Sequence, residues 1–180
     1  MAVVTIRESG QRIEGDEALR SFLAVYGIEY GQWDISGLPA SLIEKDALNT
    51  EQKQQILDCL QSRIDEEKRK VGYQSADVVT LCPTVPNLDA ILEPFKREHY
   101  HTENEIRLVV DGAGVFSINP RTAPAFDVAM VPGDFISVPA GTWHWFNLGA
   151  ERRIKAVRIF ESLEGWAAIY TDEVPAREFA

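Results

Sequence analysis

Apolar positions in this chain change their rhythm near residue 98. Before it they recur every three or four residues over long stretches; after it they come in short runs broken by turn residues. Residues 2–7 read as a first strand. Asp16 reads as the N-cap of a helix carrying Leu19, Phe22, Leu23 and Tyr26 on one face and stopped by Gly27. Residues 28–33 read as a short extended piece, and Gly37-Leu38-Pro39 breaks the chain. A long helix starts after Thr50, because Ile56, Leu57, Leu60 and Ile64 share a face and Lys68-Arg69-Lys70 suits a helix C-terminus before Gly72. Its opposite side, with Gln52, Gln55, Asp58, Arg63 and Glu66, is a solvated face, so the helix covers the outside of a sheet. Val78 to Leu81 is a brief apolar run bounded by Pro83 and Pro86. A helix over 87–97 follows, with Leu88, Ile91, Leu92 and Phe95 inward and Pro94 as a point of kinking or shortening.

Beyond His99, strand-like runs at 105–111, 115–119, 125–131, 135–138, 142–148 and 153–160 alternate with turn signals such as Gly112-Ala113-Gly114 and Pro132-Gly133-Asp134. This punctuation predicts an antiparallel barrel or jelly roll. Residues 164–170 read as a last turn or strand against its outside. No repeat, linker or low-complexity stretch divides the chain. The expectation is one mainly β domain with helices (α+β) over 1–180, with a helix-rich part at 1–97 packed outside a β-barrel part at 98–170.

Composition narrows the partners more than the fold. The chain has 180 residues, enough for one substantial core, and its 18 basic and 28 acidic residues leave a net charge of −10. That balance argues against nucleic acid and anionic membranes, and it makes any anion site a matter of a few placed arginines. No apolar run approaches the ~20 residues of a membrane span, and the first residues lack signal-peptide features. Cys59 and Cys82 are isolated and read as buried free thiols. A cytoplasmic monomer is expected.

The chemistry concentrates in Glu98 to Arg107, which reads H-x-H-x-x-x-E-x-R. Two of the chain's three histidines, His99 and His101, fall here, and the third is His144. If the segment is extended, His99, His101, Glu105 and Arg107 share a face. On a later strand His144 and Phe146 share a parity, with Trp143 and Trp145 turned the other way, so His144 can complete the set across a barrel. Three imidazoles and a carboxylate suit iron(II), nickel(II), manganese(II), cobalt(II) or zinc. An octahedral ion keeps two open positions; tetrahedral zinc is closed and structural. The bland alternative is separate surface or hydrogen-bonded histidines, which requires every histidine in the chain to fall in this arrangement by chance. Arg107 and Arg158 each interrupt an apolar strand. A guanidinium there needs an anion, either a neighbouring Asp or Glu or an anionic substrate beside the metal.

His99-x-His101-x3-Glu105-x6-Gly112 and Gly133-x5-Pro139-x-Gly141-x2-His144 resemble the paired motifs of the cupin superfamily. Gly72-Tyr73-Gln74-Ser75-x-Asp77, Phe95-x-x-Glu98-His99, Val131 through Gly141, Arg158-Ile159-Phe160 and Glu164-Gly165-Trp166 narrow the resemblance to the acireductone dioxygenase family over residues 70–170. The resemblance implies a cupin-type barrel in which His99, His101, Glu105 and His144 bind one Fe(2+) or Ni(2+), with O2 as co-substrate. It implies that Arg107 and Arg158 hold substrate oxygens, Arg107 with a catalytic role in charge stabilisation. Phe95, Phe146 and Trp166 then form an apolar wall facing a methylthio tail. The substrate implied is an acireductone of methionine salvage. Two other classes share these ligands: a cupin isomerase or decarboxylase that leaves oxygen untouched, and a noncatalytic binding cupin.

Overall fold

The alternation beyond His99 resolves into two facing antiparallel sheets, which strands from the first half of the chain complete. The structure, a computed structural model, describes residues 1–162 and 167–170, with Val71 described in its backbone alone. In chain order the elements are β1 (Val3–Ile6), β2 (Arg12–Ile13), α1 (Asp16–Ala24), β3 (Glu29–Gln32), α2 (Ala40–Ile43), α3 (Thr50–Cys59), α4 (Gln61–Val71), β4 (Ser75–Leu81) and α5 (Leu88–Lys96). There follow β5 (His99–Tyr100), β6 (Glu105–Gly112), β7 (Gly114–Asn119), β8 (Phe126–Met130), β9 (Asp134–Val138), β10 (Trp143–Leu148), β11 (Ile154–Phe160) and β12 (Ile169–Tyr170). One sheet runs β12-β5-β10-β7-β8-β1-β2 and the other β3-β9-β6-β11-β4. The expected barrel is therefore a pair of sheets of the cupin type: among the described residues no strand belongs to both, and no closed barrel forms.

The five-stranded sheet is covered on both sides, which explains why β6 and β11 read as near-continuous apolar runs. Along β6, Ile106, Leu108 and Val110 point outward and pack with Ile56, Leu60 and Ile64 of the helices. Val109 points inward to Phe116, Ile118, Phe126 and Val128 of the seven-stranded sheet. Each such fully buried aliphatic or aromatic side chain contributes about 1.5–3 kcal/mol. Lys155 is also buried on the outer face. Its Nζ donates to Leu42 O at 2.7 Å and Lys45 O at 3.0 Å, closing the end of α2 where carbonyls lack helical partners.

Several local readings need correction. The long helix begins at Thr50, where Asn49 and Gln52 form a reciprocal capping box, but it breaks at Leu60 (φ −103°, ψ 4°). With that break, Ile56, Leu60 and Ile64 all remain buried on the sheet. The cap of α1 is Gly15, at φ 93°, and Asp16 is the first helical residue, paired with Arg20 one turn on. Pro94 is accommodated inside α5, and Ile91 faces solvent at 40% exposure instead of packing inward. Cys59 is exposed, and Cys82 alone of the two is buried. No helix among the described residues is long and apolar enough to cross a membrane.

Candidate metal centre

Residues 99–107 do not form one extended strand. His99 lies in β5 of the seven-stranded sheet, and Glu105 opens β6 of the other. Between them the chain turns, held by tertiary bonds: Gly141 N donates to His101 O at 2.8 Å, and Ala140 N to Asn104 Oδ1 at 3.0 Å. Ser162 N donates to Glu103 Oε2 at 3.0 Å. His144 of β10 is the Cα partner of His99. Thus His99 and His144 stand side by side on one sheet and Glu105 faces them from the other. The shared wall expected from strand parity is instead a gap bridged from both sides.

One ligand atom from each of His99, His101, Glu105 and His144 lies within 4.8 Å of all the others. All four side chains are buried or nearly so. Each imidazole is oriented by its Nδ1, which contacts a backbone carbonyl: Arg97 O at 2.7 Å for His99, Ala167 O at 3.1 Å for His101, and Thr142 O at 2.8 Å for His144. A carbonyl can only accept, so Nδ1 carries the proton and the neutral ring turns a lone pair on Nε2 inward. His144 Nε2 sits 2.6 Å from Glu105 Oε2, yet neither atom makes a hydrogen bond. Two buried groups this close need a shared positive charge, either a proton on Nε2 or a metal ion that both atoms ligate, and the backbone carbonyls that orient the rings are the usual outer shell of metal-ligating histidines. The donor set fits a divalent transition ion.

Electrostatics favour the deprotonated ligand forms. Burial, with His144 adding to it, pushes His99 down to about 4. Burial also lowers His101, against the pull of Glu105. Burial works to raise Glu105, but Arg107 and His144 outweigh it and hold the carboxyl well below the usual range.

Next to the ligands, the five-stranded sheet presents its inward side chains in rows. Arg107 is the Cα partner of Arg158, and Arg158 of Asp77. Arg107 Nη2 donates to Glu105 Oε1 at 2.5 Å, and Arg158 grips Asp77 through Nε at 2.7 Å. Both guanidiniums therefore have an acidic partner, and both also line a pocket that opens on the ligands. The next rows are apolar: Val109, Ala156 and Val79, then Ile154 and Leu81. Opposite them stand Phe146 and its Cα partner Phe116, with Phe95 arriving from α5. Trp143 and Trp145 turn to the other side of the sheet, stacked under Arg121 and Arg7. Trp166 lies outside the described residues. The sequence pattern assigns no site role to Phe116, Asp77 or the five aliphatic or alanine positions. Counting by twos from Arg107 and Arg158 reaches Val109, Ala156 and Ile154, but Phe116 and Asp77 follow only from register.

The model of the ARD/ARD' family matches residues 6–168. A Bacillus subtilis acireductone dioxygenase is 45% identical over 171 residues, covering 94% of this chain and 96% of the relative. The chain belongs to the acireductone dioxygenase family. An Exiguobacterium sibiricum family member is 42% identical, over 94% of this chain and 95% of its own length. The solved structure of acireductone dioxygenase from Bacillus anthracis, with a cadmium ion in its active centre, superposes with a TM-score of 0.91 at 40% identity. It covers 94% of this chain and 98% of that one. The match extends beyond residues 70–170, which carry the motifs, to begin at residue 6.

Proposed function

We propose that this chain is a metal-dependent dioxygenase that cleaves the acireductone 1,2-dihydroxy-3-oxo-5-(methylthio)pent-1-ene with O2 in methionine salvage. The observation that carries this reading is the pairing of four converging ligands with a pocket that is charged at their end and apolar beyond. His99, His101, Glu105 and His144 would hold one iron(II) or nickel(II). Such an ion, when bound, would supply a Lewis acid and a template that fixes which substrate carbons meet dioxygen. In this family iron(II) is associated with formate and 4-methylthio-2-oxobutanoate, and nickel(II) with formate, carbon monoxide and 3-methylthiopropanoate.

The chain's own residues bind, orient and exclude water. Arg107 and Arg158 offset negative charge on the substrate oxygens. Phe95, Phe116, Phe146 and the aliphatic rows take the tail and keep the pocket dry. The three Nδ1 protons are committed to carbonyls, and Glu105 Oε1 is committed to Arg107. Among the described residues lining the pocket no side chain is assigned as a general base, and an acireductone arriving already as its enediolate would need none. The protein acts as one domain and as a cytoplasmic monomer.

The test is oxygen uptake on synthetic acireductone by metal-loaded protein, followed by product analysis after reconstitution with iron and with nickel. Consumption of one equivalent of O2, with formate released under both metals, is expected. Loaded protein that leaves oxygen untouched overturns the reading in favour of an isomerase, a decarboxylase or a binding protein.

A further inference from the structure

The two pocket arginines are held in different ways. Arg107 has a partner at each outer nitrogen: Nη1 donates to Ile106 O at 2.8 Å and Nη2 to Glu105. Arg158 is gripped along one edge only, with Nε and Nη2 donating to the two oxygens of Asp77 at 2.7 and 2.5 Å. That is a bidentate clamp, which fixes the plane of the guanidinium as well as its place. Among the described residues Nη1 has no partner. Arg158 lines the pocket and Asp77 does not. The Phe160 ring lies near both groups, 5.7 Å from Arg107 Cζ and 5.2 Å from Arg158 Cζ, a weak contact that does not fix either orientation.

Asp77 is 47% exposed. A carboxylate that open to water adds little to stability through its ion pair. What it can do is geometric. Arg107 and Arg158 are neighbours of like charge, and without an anchor Arg158 would swing away from Arg107 towards solvent. With the anchor, Arg158 stays in the wall of the pocket that His99, Glu105 and His144 also line, with Nη1 uncommitted.

We propose that Asp77 is a positioning residue: it acts through Arg158, holding that guanidinium ready for the anionic oxygens of a ligand that Asp77 itself does not touch. The inference rests on the function proposed above. It also opposes a specific alternative, in which Asp77 competes with the incoming anion for the same guanidinium. The two predict opposite signs.

The test uses wild type, Asp77→Ala, Asp77→Asn and Asp77→Glu. Oxalate binding to the cobalt(II)-loaded proteins is followed by visible absorption, beside acireductone kinetics with the iron(II) enzymes. Asp77→Ala should raise the oxalate Kd and the acireductone KM about tenfold with kcat within about threefold. Asp77→Asn, which keeps an oxygen acceptor without the charge, should fall between, Asp77→Glu should recover part of the loss, and metal content should stay at the wild-type level. An unchanged or smaller Kd in both Asp77→Ala and Asp77→Asn overturns the proposal, as does a loss confined to kcat. Failure of Asp77→Asn to retain metal also overturns it, since that assigns Asp77 to structure; if Asp77→Ala does not fold, Asp77→Asn decides. If wild-type iron enzyme consumes no oxygen, the proposed function fails, and the oxalate titration still judges Asp77.

Discussion

The two sheets bring opposite chemistry to the same gap. The seven-stranded sheet and the turn beyond β5 offer His99, His101 and His144, all neutral donors with their Nδ1 protons tied to backbone carbonyls. The five-stranded sheet offers Glu105, Arg107 and Arg158, all charged, and each carboxylate or guanidinium leans on another. The imidazoles can therefore be buried at small electrostatic cost, whereas the charged row is stable only as a connected set. A divided ligand set would also make a bound ion a bridge between sheets that, among the described residues, share no strand. Metal binding and sheet-to-sheet packing then become one free energy, not two.

The largest effect tests that bridge from each side. His144→Ala removes a donor from one sheet and Glu105→Ala removes the carboxylate from the other. Each should lower turnover on the order of 10³-fold or more, with metal content falling in parallel by elemental analysis. Chelation of wild-type protein should lower its melting temperature to the value of either variant. Full metal retention in one of the two variants would place the centre on a single sheet and break the comparison.

Much of this centre was legible in the sequence because its signals are local. Three histidines in 180 residues, two of them spaced by one, stand out whatever the fold. The strands from 105 to 160 lie within a residue or two of their expected limits, since alternation and turn residues are written within each strand. The outward turn of Trp143 and Trp145 follows from the same alternation. The division of the ligands between sheets was not legible. The turn at 101–104 is made by bonds to Gly141, Ala140 and Ser162, none within 35 residues of its partner, and local pattern carries no trace of them. Parity along one imagined strand thus reached residues that do meet, by a path the chain does not take. The same limit hid Phe116 and Asp77, whose places depend on which strand lies alongside. The break at Leu60 was hidden for a related reason, since the helical spacing on either side continues unbroken and only the underlying sheet calls for a bend.

A smaller effect separates the neutral ligands from the charged ones by pH. His99 titrates near 4 in the folded protein against about 6.5 in an unfolded chain, chiefly because it is buried. A depressed folded value means that the unfolded chain binds the proton first as pH falls. The stabilising contribution of the neutral ring is thus present above pH 6.5 and is lost progressively as the pH drops toward 4. The loss is roughly 3 kcal/mol for His99, with His101 adding in the same direction. Urea unfolding of metal-free protein between pH 7 and 4 reads this directly. Glu105, held well below its ordinary value, keeps its charge in the folded protein through the window, but the unfolded chain starts to bind that proton near pH 4.5 and so steepens the curve at its acid end. Metal-bound protein should hold its stability to lower pH, because the ion occupies the Nε2 lone pairs. A metal-free stability curve that is flat from pH 7 to 4.5 would show that the imidazoles are not buried as described.

The smallest effect probes where the two sheets touch beyond the ligands. A Cβ built on Gly114 in β7 would lie 2.3 and 2.4 Å from two ring carbons of Phe146 and 3.1 Å from Ile154 Cδ1. One contact is within its own sheet and the other is across the gap, so Gly114→Ala presses on both. Phe146 has only one side on which to yield, since it packs on Phe116 at 5.0 Å and otherwise borders the pocket. The ring should move inward and shorten the apolar rows. Overpacking of this kind costs about 2 kcal/mol, measurable by urea unfolding. Because the ligands are two residues and more from the strained contact, metal content should not change, while KM for the acireductone should rise as its tail meets the displaced ring. A variant of unchanged stability and unchanged KM would mean that the gap between the sheets is looser here than at the ligands, and that the ion alone sets their separation.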